Sequence, residues 1–423
     1  MIRSQAFAGK RYAVYGLARS GIATAEALLA SGARVTAWDA KEEARANAPA
    51  GVEIANLDKA ELRQFDSLVV TPGLPLNRHP IAASARDAGL EMIGDIELFA
   101  RARPELPPHK VVGITGTNGK STTTALVHHI LKTAGVPSTM GGNIGLPILA
   151  QDPLPTSGVY VLELSSYQID LTQSLDCDVA VLLNITPDHL DRYESFEAYA
   201  ASKARLFEMQ SPDEIAFVDW KTFAAGLVEP VGGFNGLTLP DWADQDRWPA
   251  LQGPHNADNA GAAIETTAWL GVDPDIIAQS LETYPGLPHR MERVREKDGV
   301  LFVNDSKATN AEAAAPALAA YPKVRWIVGG QAKSESLGET EAQLGQVVKA
   351  YTIGEAGPMF ACLLREAGIA VAECETLENA TKRAAADSLP GDVVLLSPAS
   401  ASFDQFRDFE ARGDRFRELV EGL

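Results

Sequence analysis

The chain has 423 residues, 46% apolar and 22% charged, with 37 basic against 56 acidic side chains and a formal charge of −19. At about 100–200 residues per domain this length predicts two to four domains, each with enough apolar material for its own core. Such an acidic balance excludes a general nucleic-acid binder, which needs a basic face; anionic small ligands remain open, because helix N-termini and a few local cations hold phosphates inside acidic proteins.

The opening segment, MIRSQAFAGKRYAVYG, lacks the apolar stretch of a secretory leader. No run approaches the ~18–20 apolar residues of a membrane span, so a soluble, cytoplasmic protein is expected. A strand, Arg11–Tyr15, leads into Gly16, a helix near Ala23–Ser31 and a second strand, Arg34–Asp39. Ser67–Val70 reads as another strand, ending at Thr71-Pro72-Gly73. This rhythm predicts a parallel sheet with helices over its faces. Gly16-Leu17-Ala18-Arg19-Ser20-Gly21 imitates a dinucleotide fingerprint, but Ala18 replaces the glycine that lets the backbone approach a pyrophosphate, which weakens an NAD reading. Asp39 ends its strand where an acidic ribose or base contact belongs. Pro104, Pro107 and Pro108 then mark a linker.

A second block starts with the strand Val111–Ile114, the loop Thr115-Gly116-Thr117-Asn118-Gly119-Lys120-Ser121-Thr122 and a helix Thr122–Ala134. Glycines let backbone N–H groups converge on phosphate oxygens, and the helix N-terminus adds partial positive charge. Lys120 has the reach for β- and γ-phosphates, and Ser121 or Thr122 for Mg²⁺. Ile114 stands where the strict phosphate-loop pattern wants glycine, so a glycine-rich turn with a surface lysine is the competing reading. No Asn-Lys dipeptide occurs, which removes the guanine signature of a switch GTPase.

The strands Val159–Leu164 and Val179–Asn184 follow. Glu163, at a strand's carboxyl end in the sheet of the phosphate loop, is placed to hold Mg²⁺. His189 lies just past the next strand end, a position that favours function over a structural role. On the helix Phe196–Met209, Phe196, Tyr199, Ala200, Lys203, Leu206 and Phe207 share one face, which puts Lys203 inside an apolar stripe. A lysine there is paired, modified or deprotonated, or it snorkels from the stripe's edge. Residues 211–253 read as irregular, and a helix Asn259–Leu270 follows. Tyr284-Pro285-Gly286-Leu287-Pro288 marks a second break. The last block has strands Val300–Asn304, Val324–Val328 and Val393–Ser397. Asp305 ends the first of these, where an acid commonly accepts ribose hydroxyls. Cys177, Cys362 and Cys374 are widely spaced and lack a CxxC pattern, predicting free thiols that act as small buried hydrophobes. The expected architecture is α/β, each domain a mostly parallel sheet with helices. Residues 1–104 are a Rossmann-like domain, 105–288 a central P-loop domain, and 289–423 a second Rossmann-like domain.

The segment Thr115–Thr122 also resembles the ATP loop of the Mur ligases and their folylpolyglutamate synthetase relatives. LNITPDHLDRY, followed by the helix with Lys203, resembles that family's metal region. His255–Ala260 (HNADNA), Gly286–Arg290 (GLPHR) and Asn304–Asn310 (NDSKATN) resemble its further motifs, in order. On these residues the chain is identified as a member of the Mur ligase family. The resemblance implies ATP contacts at Gly116, Thr117, Asn118, Gly119, Lys120, Ser121, Thr122, Asn259, Arg290, Asp305 and Lys307. It implies Mg²⁺ at Ser121, Thr122, Glu163, His189 and a carbamylated Lys203, and catalytic roles for Lys120, His189, Lys203 and Arg290. A UDP-sugar substrate falls to Leu17, Ala18, Arg19, Asp39, Thr71, Pro72 and Gly73, with Asn143, Ser165, Gln168 and His189 on its muramoyl part. NDSKATN, Gly329–Lys333 and Ser397–Phe406 resemble the D-glutamate-adding members, with Thr309, Lys333, Ser402, Phe403 and Phe409 around the amino acid. The implied reaction converts UDP-N-acetylmuramoyl-L-alanine, ATP and D-glutamate through an acyl phosphate. A monomer that engages neither nucleic acid nor membrane is expected. A catalytically silent nucleotide-binding regulator, an L-glutamate ligase and a folate polyglutamylating enzyme are the rival readings.

Overall fold

The computed structural model describes residues 1–188, 191–229, 233–332 and 334–423. The chain forms two compact units, residues 1–240 with 261–277, and residues 241–260 with 278–423. No helix among the described residues is long and apolar enough to cross a membrane.

The first unit carries two sheets. One consists of β1 (Arg11–Tyr15), β2 (Arg34–Trp38), β3 (Glu53–Ile54), β4 (Ser67–Val70) and β5 (Met92–Ile93), ordered β3-β2-β1-β4-β5 and parallel throughout. The other consists of β6 (His109–Thr115), β7 (Ser138–Gly142), β8 (Gly158–Glu163), β9 (Val179–Leu182), β10 (Ile215–Val218) and β11 (Gly233–Gly236). Its order is β11-β10-β9-β6-β8-β7, again all parallel. The central strands are buried along nearly their whole length, which is why they read as unbroken apolar runs rather than alternating ones. One continuous apolar core, with Phe99, Tyr160 and Leu164 among its members, serves both sheets.

The second unit carries β12 (Glu292–Lys297), β13 (Val300–Asn304), β14 (Val324–Gly329), β15 (Val347–Ile353), β16 (Val371–Glu375) and β17 (Val393–Leu396). Their order is β12-β13-β17-β14-β15-β16, parallel except for the β12–β13 hairpin. Successive residues of β14 alternate between two cores, Trp326 and Val328 facing one and Ile327 the other. The α/β architecture with parallel sheets is the one expected.

Several boundaries differ from expectation. The first helix runs Arg19–Ala30, starting at Arg19 instead of near Ala23. Gly21 makes the early start possible, since a Cβ there would lie 1.9 Å from the Gly16 carbonyl oxygen. The helix Pro254–Trp269 starts at Pro254 instead of Asn259, because proline's missing N–H is harmless in a first turn. The stretch 211–253 is more ordered than its sequence suggests, holding β10, β11 and the short helix Trp220–Ala224. All three thiols are free, but Cys362 is exposed, contrary to the expected burial. It sits on the outer face of the helix Gly357–Glu366, its Sγ 3.5 Å from Glu366 Oε1 one turn on.

Candidate functional site

Strand register assembles the centre of the first unit. Ile114 pairs with Glu163, and Thr115 with Leu182, so the carboxyl ends of β6, β8 and β9 lie side by side. The loop after β6 therefore emerges beside Glu163 and the segment after β9, where open α/β sheets bind ligands. The helix Lys120–Thr133 starts at Lys120, with Gly119 as its left-handed cap (φ +86°). The neighbouring segment 184–186 braces the loop. Asn184 accepts from the Asn118 N–H at 2.9 Å and donates to the Asn118 carbonyl at 3.1 Å. The Thr117 hydroxyl donates to the Thr186 carbonyl and lies 3.1 Å from the Tyr199 hydroxyl.

The structure brings Lys120 and Lys203 to one acceptor. Lys120 Nζ donates to the carbonyls of Gly116 (2.9 Å) and Thr117 (2.7 Å). Lys203 Nζ donates to Gly116 O at 2.9 Å and stands 4.8 Å above the Tyr199 ring. Lys203 is 1% exposed, as its place in the apolar stripe predicts. Burial, and next the Lys120 ammonium, push its amine well below the usual lysine range. An amine so shifted is more readily neutral, and the neutral form is the nucleophile that reacts with carbon dioxide.

Glu163 is 2% exposed. Its Oε1 accepts from Asn143 Nδ2 at 3.1 Å, whereas Oε2 is buried with no hydrogen-bond partner. An orphaned buried carboxylate oxygen is costly unless a cation or donor completes it, so the residue fits a divalent ion. Among the described residues no group of three or more His, Cys, Asp or Glu side chains could hold a metal. His189, expected in that set, lies outside the described residues. Gly142 faces Glu163 in the β7–β8 register with φ +86°, and a Cβ there would lie 2.1 Å from the Glu163 carbonyl oxygen. Gly142→Ala is therefore expected to destabilise the protein by about 1–3 kcal/mol. Denaturant midpoints check this, and a wild-type midpoint would refute the close approach.

The residues expected to hold the UDP part gather at the carboxyl edge of the first sheet. Leu17 N–H donates to Asp39 Oδ2 at 2.8 Å, and Ala18 caps the helix that Arg19 begins. Thr71 N–H donates to the Tyr15 carbonyl. Arg19 reaches the Gly145 carbonyl at 3.1 Å, connecting this edge to the segment that carries Asn143. Ser165 and Gln168 form a capping box on the short helix Ser166–Asp170, so both polar side chains already serve the backbone. Arg192, which sequence reasoning passed over, donates to the carbonyls of Gly73 (3.4 Å) and Leu74 (2.7 Å) and lies 4.2 Å over the Tyr167 ring. It ties the Thr71-Pro72-Gly73 loop to the segment after β9. Asn184 was missed too; its place after a strand in the phosphate-loop sheet was the available signal.

In the second unit Asn256 and Asn259 are both buried and joined, Asn259 Nδ2 donating to Asn256 Oδ1 at 3.1 Å. Burial pushes the Asp305 carboxyl up to about 7, against the opposing pull of hydrogen bonds from Ser397 and the Met291 N–H. Lys307 Nζ lies 4.0 Å over the Phe409 ring, bringing a residue expected at ATP against one expected at the amino acid. Thr309 is half-buried. The buried Ser402 Oγ has no hydrogen-bond partner, whereas Phe403 is 68% exposed. Lys333 lies outside the described residues. Arg412, also missed, is 1% exposed and binds the carbonyls of Ser306, Ser400 and Ala401. It joins the loop after β13 to the loop after β17.

Comparison with known proteins places this geometry. Models of the Mur ligase MurD-like N-terminal domain, the Mur ligase middle domain and the Mur ligase glutamate ligase domain match residues 10–94, 114–224 and 289–400. The UDP-N-acetylmuramoylalanine–D-glutamate ligase of Novosphingobium aromaticivorans is 59% identical over 430 residues, covering 100% of this chain and 97% of its own. The enzyme of the same name from Zymomonas mobilis is 53% identical, with 100% of both chains covered. Among solved structures, the UDP-N-acetylmuramate–alanine ligase MurC of Thermotoga maritima shares the fold with a TM-score of 0.60 at 18% identity, covering 98% of this chain and 99% of that one. The MurF ligase of the same organism, in complex with ADP, gives 0.59 at 17% identity, covering 98% and 97%. Domain models laid over every block, and relatives more than half identical along the whole length, make this chain a member of the Mur ligase family, with an N-terminal domain of the MurD-like kind.

Proposed function

We propose that this chain is the ATP-dependent ligase that joins D-glutamate to UDP-N-acetylmuramoyl-L-alanine in peptidoglycan precursor synthesis, acting in the cytoplasm as a monomer. The observation that carries the reading is the meeting of Lys120 and Lys203 on the Gly116 carbonyl, at the sheet edge that also bears Glu163. A carboxylate is a poor acyl donor, and phosphorylation supplies a leaving group. Transfer of the ATP γ-phosphate to the L-alanyl carboxylate makes an acyl phosphate and ADP. The D-glutamate amine attacks the acyl carbon, and phosphate departs. Lys120 and the N–H groups of Thr117–Thr122 hold the phosphates and offset charge during transfer. Mg²⁺, when bound, supplies Lewis-acid charge neutralisation; Ser121 or Thr122, Glu163, His189 and the Lys203 carbamate are its proposed ligands. Arg290, Asn259, Asp305 and Lys307 are assigned to ATP. The residues from Leu17 to Gly73 named above take the UDP part, and Asn143, Ser165, Gln168 and His189 the muramoyl part.

Thr309, Ser402, Phe403 and Phe409 are assigned to D-glutamate together with Lys333, whose cation pairs with one of its carboxylates. A charge-assisted bond of this kind contributes about 1.5–3 kcal/mol. Lys333→Ala is therefore expected to raise the apparent KM for glutamate by roughly 10–150-fold and to leave that for ATP unchanged. Initial rates with each substrate varied separately check this; a normal glutamate constant would remove Lys333 from the pocket. The function itself is tested by ATP-dependent phosphate release with UDP-N-acetylmuramoyl-L-alanine and each glutamate enantiomer. Release with D-glutamate alone is expected. Release with L-glutamate, or with folate in place of the UDP-sugar, would overturn the assignment, and so would no release at all.

A further inference from the structure

Arg290 sits between two residues that are not glycine yet adopt left-handed backbone, His289 (φ +62°) and Met291 (φ +48°). Such conformations persist only where surrounding contacts over-determine them. Here the contacts converge on Glu292, the first residue of β12. Its Oε2 accepts from the His289 N–H (2.9 Å) and from Asn304 Nδ2 (2.9 Å). Its Oε1 accepts from Arg417 Nε (3.0 Å) and Nη2 (2.7 Å) on the helix Phe409–Glu421. The same turn fixes the next loop, since Met291 N–H donates to Asp305 Oδ1 (3.2 Å) and Lys307 N–H to the His289 carbonyl (3.0 Å). Gly413 leaves room for this, because a Cβ there would lie 2.1 Å from His289 Nδ1.

We propose that Glu292 is a positioning residue for the ligation reaction, pinning the strained turn that presents Arg290 and Asp305 and so setting nucleotide affinity without touching the nucleotide. The inference rests on the reading of Arg290 as an ATP contact. The chemistry demands a carboxylate, because both oxygens face donors. An isosteric amide keeps one acceptor and turns an N–H₂ group towards the other donor set.

The test is Glu292→Gln in the full chain, with and without Arg290→Ala. Glu292→Gln alone is expected to raise the KM for ATP about 10–100-fold, the cost of misplacing a contact by about an ångström. The Kd for the UDP substrate should stay at the wild-type value. In the Arg290→Ala background the same change should have a clearly smaller effect, only the part that acts through Asp305, because residues that act as one unit are non-additive. Full additivity there would overturn the proposal, since a merely structural loss adds in either background. Arg290→Ala with a wild-type KM for ATP would instead overturn the reading of Arg290. Arg417→Gln, on a partly exposed helix face, guards against a misfolded first variant. It should raise the KM for ATP in the same direction but less, and a wild-type value there would count against the clamp.

Discussion

Lys120→Ala is expected to slow phosphate release by at least about 10³-fold, the scale on which single cations act in phosphoryl transfer. UDP-substrate affinity should remain at the wild-type value. Lys120 is the first residue of the helix after the phosphate loop, where its ammonium adds a full charge to the partial charge of the helix N-terminus. Its Nζ donates to the backbone carbonyls of Gly116 and Thr117. Phosphate oxygens carry formal charge and are stronger acceptors for an ammonium than neutral carbonyls. ATP phosphates would therefore offer Lys120 a stronger acceptor than those two carbonyls. The edge proposed for the UDP part, with Leu17, Asp39 and Thr71, belongs to the other sheet of the same unit. Phosphate-release kinetics and calorimetry with each ligand check the prediction. Equal loss of ATP and UDP-substrate binding would show that the variant damages the unit as a whole.

Lys203→Ala is expected to lower turnover about 10²–10³-fold, because a metal site contributes several kcal/mol and each 1.36 kcal/mol is tenfold in rate. A small carboxylic acid added to the variant should restore part of the activity by standing in for the carbamate. A lysine that is 1% exposed, and whose amine burial and Lys120 hold well below the usual range, loses little by surrendering its proton. In the proposed carbamylation the neutral amine attacks carbon dioxide, an N–C bond forms as one C–O π bond opens, and the nitrogen's proton leaves to water, so a cation becomes an anion. That change turns the repulsion between Lys203 and Lys120 into attraction. Carbon-13 NMR with labelled bicarbonate should show one carbamate carbon in the wild type and none in Lys203→Ala. A fully active variant without added acid, or no such signal in the Mg²⁺-loaded protein, would overturn the assignment.

How much of the site was legible depended on the range of the interaction. The phosphate loop was readable because strand, glycine turn and helix are consecutive. Lys203 was readable as buried because 3.6-residue periodicity alone put it among Tyr199, Leu206 and Phe207. Arg192 and Arg412 were not, because each acts on backbone carbonyls far away in the chain, and a carbonyl leaves no mark in a sequence. Ser165 and Gln168 show the converse. Resemblance alone marked them for a ligand, and the capping box that they also close went unread although its two partners are only three residues apart. Cys362 misled because residue type predicts average burial, while the helix face it falls on decides the individual case.

By itself, then, the sequence determined the three parallel-sheet blocks, the strands β1, β2, β4, β6, β8, β9, β13, β14 and β17 that build them, and the apolar stripe that buries Lys203, while leaving β10 and β11 in a stretch read as irregular. These follow from hydrophobic periodicity and turn chemistry, which act between near neighbours. Only the tertiary structure decided that β6 lies between β8 and β9, so that Glu163 and Asn184 flank the phosphate loop. Only there does Glu163 Oε2 become an orphan, and only there do two left-handed residues flank Arg290. Strand order and side-chain pairing minimise a free energy summed over whole sheets and cores. Contacts between residues far apart in the chain dominate that sum, and no local window of the sequence contains them.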